Sequence, residues 1–171
     1  MGTWRNCFTF FKIKGLVDEY ENFFQNHPNL IVNNLFELGI YGGGSIAFWN
    51  ELFSPERHIG IDLNEKNENS YLTNYFENRK GSNHIIKTFG GVNQADSKKL
   101  LDLYKSEFQG PLDLVIDDAS HLYGPTKISF ETLFPLLRKG GLYIIEDWAW
   151  GHWEDFFSPD HPWQGRFRLQ N

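Results

Sequence analysis

The chain has 171 residues, a formal net charge of −6 and a pI near 5.5, the length of one domain with room for a real core. An acidic balance without a basic stripe excludes a sequence-independent grip on nucleic acid. The single cysteine, Cys7, excludes an internal disulfide framework and a CxxC metal site. With no long apolar span and no signal-peptide pattern, a cytoplasmic protein without a membrane partner is expected.

In chain order, Phe8, Phe10, Phe11 and Ile13 partly alternate, consistent with a short strand or a packed arm. Leu16 to Asn26 carries Leu16, Tyr20, Phe23 and Phe24 at helical spacing. That predicts an amphipathic helix ending before Pro28 and sets residues 1–30 apart as an arm and helix. Ile31 to Leu38 reads as the first core strand and runs into Gly39-Ile40-Tyr41-Gly42-Gly43-Gly44-Ser45. Ser45 to Phe53 returns to helical spacing, with Ile46, Trp49 and Phe53 on one side. His58 to Leu63 is the second strand, with Asp62 at its end, and the polar run Asn64 to Asn69 turns into a helix over Ser70 to Arg79. His84 to Thr88 is the third strand. Asp96 then caps a helix that reaches about Phe108.

Leu112 to Ile116 is the fourth strand, followed directly by Asp117-Asp118-Ala119-Ser120-His121. Gly124-Pro125 opens the next helix, which Pro135 should kink or restart. Lys139-Gly140-Gly141 turns the chain into the fifth strand, Leu142 to Ile145, ending in Glu146-Asp147. This alternation predicts an α/β fold over residues 31–147, a doubly wound, mainly parallel sheet with right-handed crossovers. In residues 148–171, Trp148, Trp150, Trp153 and Trp163 crowd a tail with no convincing strand. The tail reads as cut short of a larger fold. An unpaired edge on the fifth strand would then favour self-association unless the tryptophans cover it.

Three groups of residues carry chemistry. The three consecutive glycines allow a ligand to approach the backbone closely, although a tight strand–helix connection uses them equally well. Asp62, an acid ending the second strand, can accept both hydroxyls of a ribose, and with the glycine turn it points to a nucleoside cofactor. Asn93-Gln94 serve either as a polar loop or as amides reading an adenine edge. The acids Asp117, Asp118, Glu146 and Asp147 fall at the carboxyl ends of two buried strands, the edge where open α/β sheets bind ligands. If those strands are neighbours, the acids meet His121 in a small volume. A hard divalent cation, Mg²⁺ or Ca²⁺, would settle their repulsion. Taken singly, such acids also cap loops, and a lone histidine is more often a satisfied loop residue.

Glu37-Leu38-Gly39-Ile40-Tyr41-Gly42-Gly43-Gly44-Ser45, Gly60-Ile61-Asp62, Asn93-Gln94-Ala95-Asp96, Val115-Ile116-Asp117-Asp118-Ala119-Ser120-His121 and the stretch from Phe130 to Trp148 together resemble class I S-adenosylmethionine-dependent methyltransferases. More narrowly they are similar to the metal-dependent O-methyltransferases that modify sugars on macrolide antibiotics. The resemblance covers about Leu35 to Trp148, with Val92-Asn93 standing where that family tends to have Gly-Asp. It implies a Rossmann-like methyltransferase fold lacking its final antiparallel strands, with Mg²⁺ on Asp118, Glu146 and Asp147 and His121 as general base. The implied cofactor positions are Glu37, Gly39, Gly42, Gly43, Ser45, Asp62, Asn93, Gln94 and Asp117. The expected partner is a small-molecule hydroxyl acceptor such as a sugar. The alternatives are an NAD-type Rossmann oxidoreductase, which fits Asp62 but leaves the carboxylates without a role, and a non-catalytic cofactor-binding fragment.

Overall fold

Short apolar runs pair side by side in the computed structural model of the chain, which describes residues 12–65, 70–79 and 84–148. Strands β1 (Asn34–Leu38), β2 (Arg57–Ile61), β3 (Ile85–Phe89), β4 (Leu112–Asp117) and β5 (Leu137–Ile145) make one parallel sheet in the order β3-β2-β1-β4-β5. Helices α1 (Lys14–Gln25), α2 (Gly44–Phe53), α3 (Ser70–Glu77), α4 (Ser97–Glu107) and α5 (Tyr123–Leu133) connect or flank the strands, and one 3-10 turn, Phe134–Leu136, follows α5. This is the doubly wound α/β fold expected from the sequence.

The central strands are mostly buried because both of their faces are covered. Side chains alternate across the sheet. Leu35, Leu114 and Ile116 pack with Tyr20 of α1 and Trp49 of α2. Phe36, Leu38 and Val115 pack with Leu100 and Leu103 of α4 and Leu133 of α5. Trp49 is fully buried and anchors the first layer, with Tyr20 edge-on at 5.0 Å and Phe53 stacked at 5.9 Å. Asp96 caps α4 as expected, accepting a hydrogen bond from the Lys99 amide at 2.9 Å.

Two boundaries differ most from the sequence reading. The first strand starts at Asn34 rather than Ile31, which is two-thirds exposed and outside the ladder. Lys139-Gly140-Gly141 lies inside β5 instead of preceding it: pairing jumps from Leu112↔Leu137 to Leu114↔Leu142. The intervening residues bulge, with Gly140 at φ 78°, so the turn signal marked a kinked edge strand. Pro135 restarts the helix as the 3-10 turn. Among the described residues β5 has a partner on one side only. The expected N-terminal aromatic arm, most of the turn before α3 and the tryptophan tail beyond Trp148 lie outside the described residues.

From β1 the chain winds out to β2 and β3, then returns to β4 on β1's other side. The carboxyl ends of β1 and β4 therefore diverge around a crevice. Gly39 sits at its base with φ 84°, and a Cβ there would run into the Asp118 backbone. Gly39→Ala is expected to lower stability by about 1–3 kcal/mol, read as a fall in the denaturation midpoint at unchanged denaturant dependence.

Candidate active site

At the carboxyl ends of β1, β2 and β4 the crevice opens into a cleft of about 640 Å³, within the usual range for small-molecule sites. Its wall includes Gly39, Gly42, Ser45, Asp62, Asn93, Gln94, Asp118, His121 and Asp147. Sequence reasoning had singled out all nine. Glu37, Gly43, Asp117 and Glu146 are absent from the wall and lie behind it.

Asp62 organises the glycine turn. Its Oδ2 accepts the amides of Ile40 at 3.2 Å and Tyr41 at 2.9 Å, and its Oδ1 accepts the Asn64 amide at 2.9 Å and the Asn64 side chain at 3.1 Å. Four donors match the capacity of a carboxylate, so a ribose would have to take over bonds that Asn64 now makes. Glu37 is fully buried. Its Oε2 meets His58 Nε2 at 2.9 Å, while His58 Nδ1 meets the Asn50 side-chain amide at 2.7 Å. Because the Asn50 amide donates to Nδ1, His58 carries its proton on Nε2 and donates to Glu37. Gly43 lets α2 approach Leu72 of α3.

Gln94 braces the wall. Its Oε1 accepts the Ser120 amide at 2.8 Å and its Nε2 donates to both oxygens of Asp117, at 3.0 and 3.1 Å. Burial pushes the Asp117 carboxyl up, and donors from Ser129, Ala119, Tyr143 and Gln94 pull it back. Asn93, at the wall's exposed lip, accepts the Ala95 amide at 2.8 Å.

The acidic end matches the expected juxtaposition of β4 and β5. Asp118, His121 and Asp147 each present a ligand atom, all within 4.8 Å of one another. His121 Nδ1 lies 3.2 Å from the Glu146 carbonyl oxygen. An Nδ1–H donated there leaves Nε2 as the basic nitrogen, 3.9 Å from Asp118 Oδ1. His121 and Asp147 adopt φ of 57° and 51°, and Tyr41 on the cleft wall 44°. Left-handed backbone at non-glycine residues is costly and gathers at functional sites.

Glu146 points the other way. Its Oε1 accepts the Tyr20 hydroxyl at 2.7 Å and its Oε2 pairs with the Lys12 ammonium, which also pairs with Asp118 Oδ2. Burial pushes the carboxyls of Asp118 and Glu146 up, against the pull of Lys12. Burial also works to lower the pKa of the Lys12 ammonium, yet the two carboxylates together raise it. Sequence reasoning missed Lys12 and the Tyr20 hydroxyl. The available signal was a lysine set directly against Phe10, Phe11 and Ile13.

A family model described as a methyltransferase domain matches residues 36–148. The chain is 33% identical over 150 residues to mycinamicin VI 2''-O-methyltransferase of Micromonospora griseorubida, covering 84% of this chain and 34% of that protein. Demethylmacrocin O-methyltransferase of Streptomyces fradiae matches with the same identity and coverage. A solved structure of the MycE methyltransferase from the mycinamycin biosynthetic pathway, in complex with Mg, SAH and mycinamycin VI, superposes with a TM-score of 0.62 at 28% identity. That match covers 91% of this chain and 40% of the other. The chain thus spans about a third of the length of these curated relatives.

Proposed function

Since the chain belongs to this methyltransferase family, we propose that it transfers the methyl group of S-adenosylmethionine to a hydroxyl of a sugar or glycosylated natural product, with Mg²⁺ as the second cofactor. The observation that carries the reading is Asp118, His121 and Asp147 converging at one end of a cleft whose other end is the glycine turn and Asp62. The neighbours fit it: the relatives are O-methyltransferases of mycinamicin VI and demethylmacrocin, and MycE was solved with Mg and SAH. The donor set also fits a hard cation, being oxygen-rich with one imidazole alongside. An NAD-type oxidoreductase gives these carboxylates no role.

Bound S-adenosylmethionine supplies an electrophilic sulfonium methyl, and bound Mg²⁺ supplies Lewis acidity at the acceptor oxygen. The remaining work belongs to the chain. Asp118 and Asp147, joined by Glu146, would hold the ion. His121 Nε2 takes the hydroxyl proton. Asp62 receives the ribose hydroxyls, and the turn from Gly39 to Gly44 lets the cofactor approach the backbone. Gln94 and Asp117 fix the loop that carries Ser120 and His121, which would position the acceptor hydroxyl. Residues 31–147 serve as the cofactor-binding unit, with residues 1–30 as arm and helix and 148–171 as a tail. No helix among the described residues is long and apolar enough to cross a membrane, in keeping with action on a small molecule in the cytoplasm.

Calorimetric titration with S-adenosylmethionine and with NAD tests the cofactor. S-adenosylmethionine is expected to bind and NAD not. Asp62→Ala should weaken S-adenosylmethionine binding by about 1.5–3 kcal/mol, the scale of hydrogen bonds to a charged group. An unchanged affinity would remove Asp62 from the site.

A further inference from the structure

Lys12 is the cation of the acidic end, and neither the sequence motifs nor the proposed reaction uses it. Its side chain is 5% exposed, and its ammonium bridges Asp118 Oδ2 and Glu146 Oε2. A buried ammonium is costly unless charge and hydrogen bonds compensate it, and here two carboxylates do so. The other oxygen of Glu146 is taken by Tyr20, whose ring is fixed against Trp49. Both oxygens of Glu146 are therefore engaged, and its carboxylate is 0% exposed. This explains why Glu146 stands apart from the convergent group of Asp118, His121 and Asp147.

We propose that the Lys12 ammonium is a tethered cation of the acidic site, holding Asp118 and Glu146 in the place a divalent ion would take, so that the two cations exclude each other there. The inference rests on reading this end of the cleft as a cation site. The argument is one of space rather than net charge. A magnesium ion lies about 2.0–2.1 Å from its oxygens, and an ammonium about 2.7–2.9 Å from carboxylate oxygens. Neither leaves room for the other between the same two oxygens. Glu146 becomes a metal ligand only when Lys12 withdraws. Lys12 is tied to the start of α1, where Leu16 and Val17 donate to the carbonyl of Ile13. Metal binding is thereby linked to movement of Lys12, which lines the cleft at the entry to α1.

Two measurements on the full chain test this. In the first, Mn²⁺ is titrated into wild type and Lys12→Met by electron paramagnetic resonance. Mutual exclusion predicts at least about tenfold tighter binding in the variant. Equal or weaker binding in Lys12→Met overturns the proposal and makes Lys12 a prop of the site. Absence of Mn²⁺ binding in both proteins overturns the cation-site reading itself, and this inference with it. The second measurement needs no variant. Acylation of lysines in wild type is followed by mass spectrometry, with Lys14, whose side chain is 86% exposed, as internal reference. Lys12 should be protected in EDTA and should react at least about tenfold faster in saturating Mg²⁺. Protection that saturating Mg²⁺ leaves unchanged overturns the exclusion.

Discussion

Asp147→Asn is expected to abolish Mg²⁺-dependent methyl transfer while leaving S-adenosylmethionine affinity nearly intact. The two effects separate because the groups sit on different strands. Asp62 and the glycine turn follow β2 and β1, whereas Asp147 follows β5 and meets Asp118 and His121 across the β4–β5 pair. An asparagine keeps the volume and a neutral oxygen but gives up the negative charge that makes a carboxylate a strong ligand for a hard cation. Losing a group that merely supports a ligand costs about 10–100-fold in metal affinity or activity, and losing a ligand should cost more. Asp118→Asn should have the same catalytic effect, but it also removes one partner of the buried Lys12 ammonium. Asp147, exposed and outside that pair, gives the cleaner measurement. The assay compares Mg²⁺ with EDTA over a panel of sugar-bearing and catechol-like hydroxyl compounds, with calorimetry for the cofactor. Turnover that persists in EDTA would return these acids to the role of strand-end caps.

How far the sequence could be read depended on the range of the interaction. Local signals were reliable in part: Asp96 caps α4, Pro135 restarts the helix, and the apolar run of β4 is a fully buried strand, whereas the run of β5, also read as buried, is a partly exposed edge strand. The condition under which Asp117-Asp118 meets Glu146-Asp147, that β4 and β5 are neighbours, holds in the structure. What stayed hidden was set by side-chain direction across long separations. Glu146 and Asp147 are adjacent in sequence, yet Glu146 turns inward to Tyr20 and Lys12, 126 and 134 residues away, while Asp147 turns to the cleft with φ 51°. No periodicity encodes that division. Gln94 is similar: its amide, readable as a polar loop or as a cofactor contact, lines the cleft and engages Ser120 and Asp117 with its two ends. The glycine pair at 140–141 was visible as a turn signal, but whether it precedes a strand or bulges within it depends on the register against β4.

His121→Ala should preserve divalent-cation binding and lower turnover by about 10²–10⁴-fold, the usual contribution of a positioned base. The geometry supports a base because one end of the ring is held and the other faces the cleft. Nδ1 faces the Glu146 carbonyl oxygen at 3.2 Å, which sets the tautomer, and Nε2 faces the cleft near Asp118. The left-handed backbone of His121 fixes the ring in that position, and a strained conformation is retained only where the surroundings hold it. Yet the same nitrogen is close enough to Asp118 and Asp147 to join a metal site, so two roles compete for one atom. They give different results. A base lost from beside the ion leaves the Mn²⁺ dissociation constant unchanged, and the lost rate recovers partly as pH rises and hydroxide or buffer takes over the proton. A lost ligand weakens Mn²⁺ by an order of magnitude or more, and saturating metal, not pH, restores the rate. His121→Gln sharpens the comparison, since its amide oxygen can still ligate a hard cation but cannot accept a proton at neutral pH. Retained Mn²⁺ affinity with low turnover in both variants assigns the base. Affinity lost in alanine and regained in glutamine, with turnover following it, would instead make His121 a ligand and leave the acceptor's proton to another group.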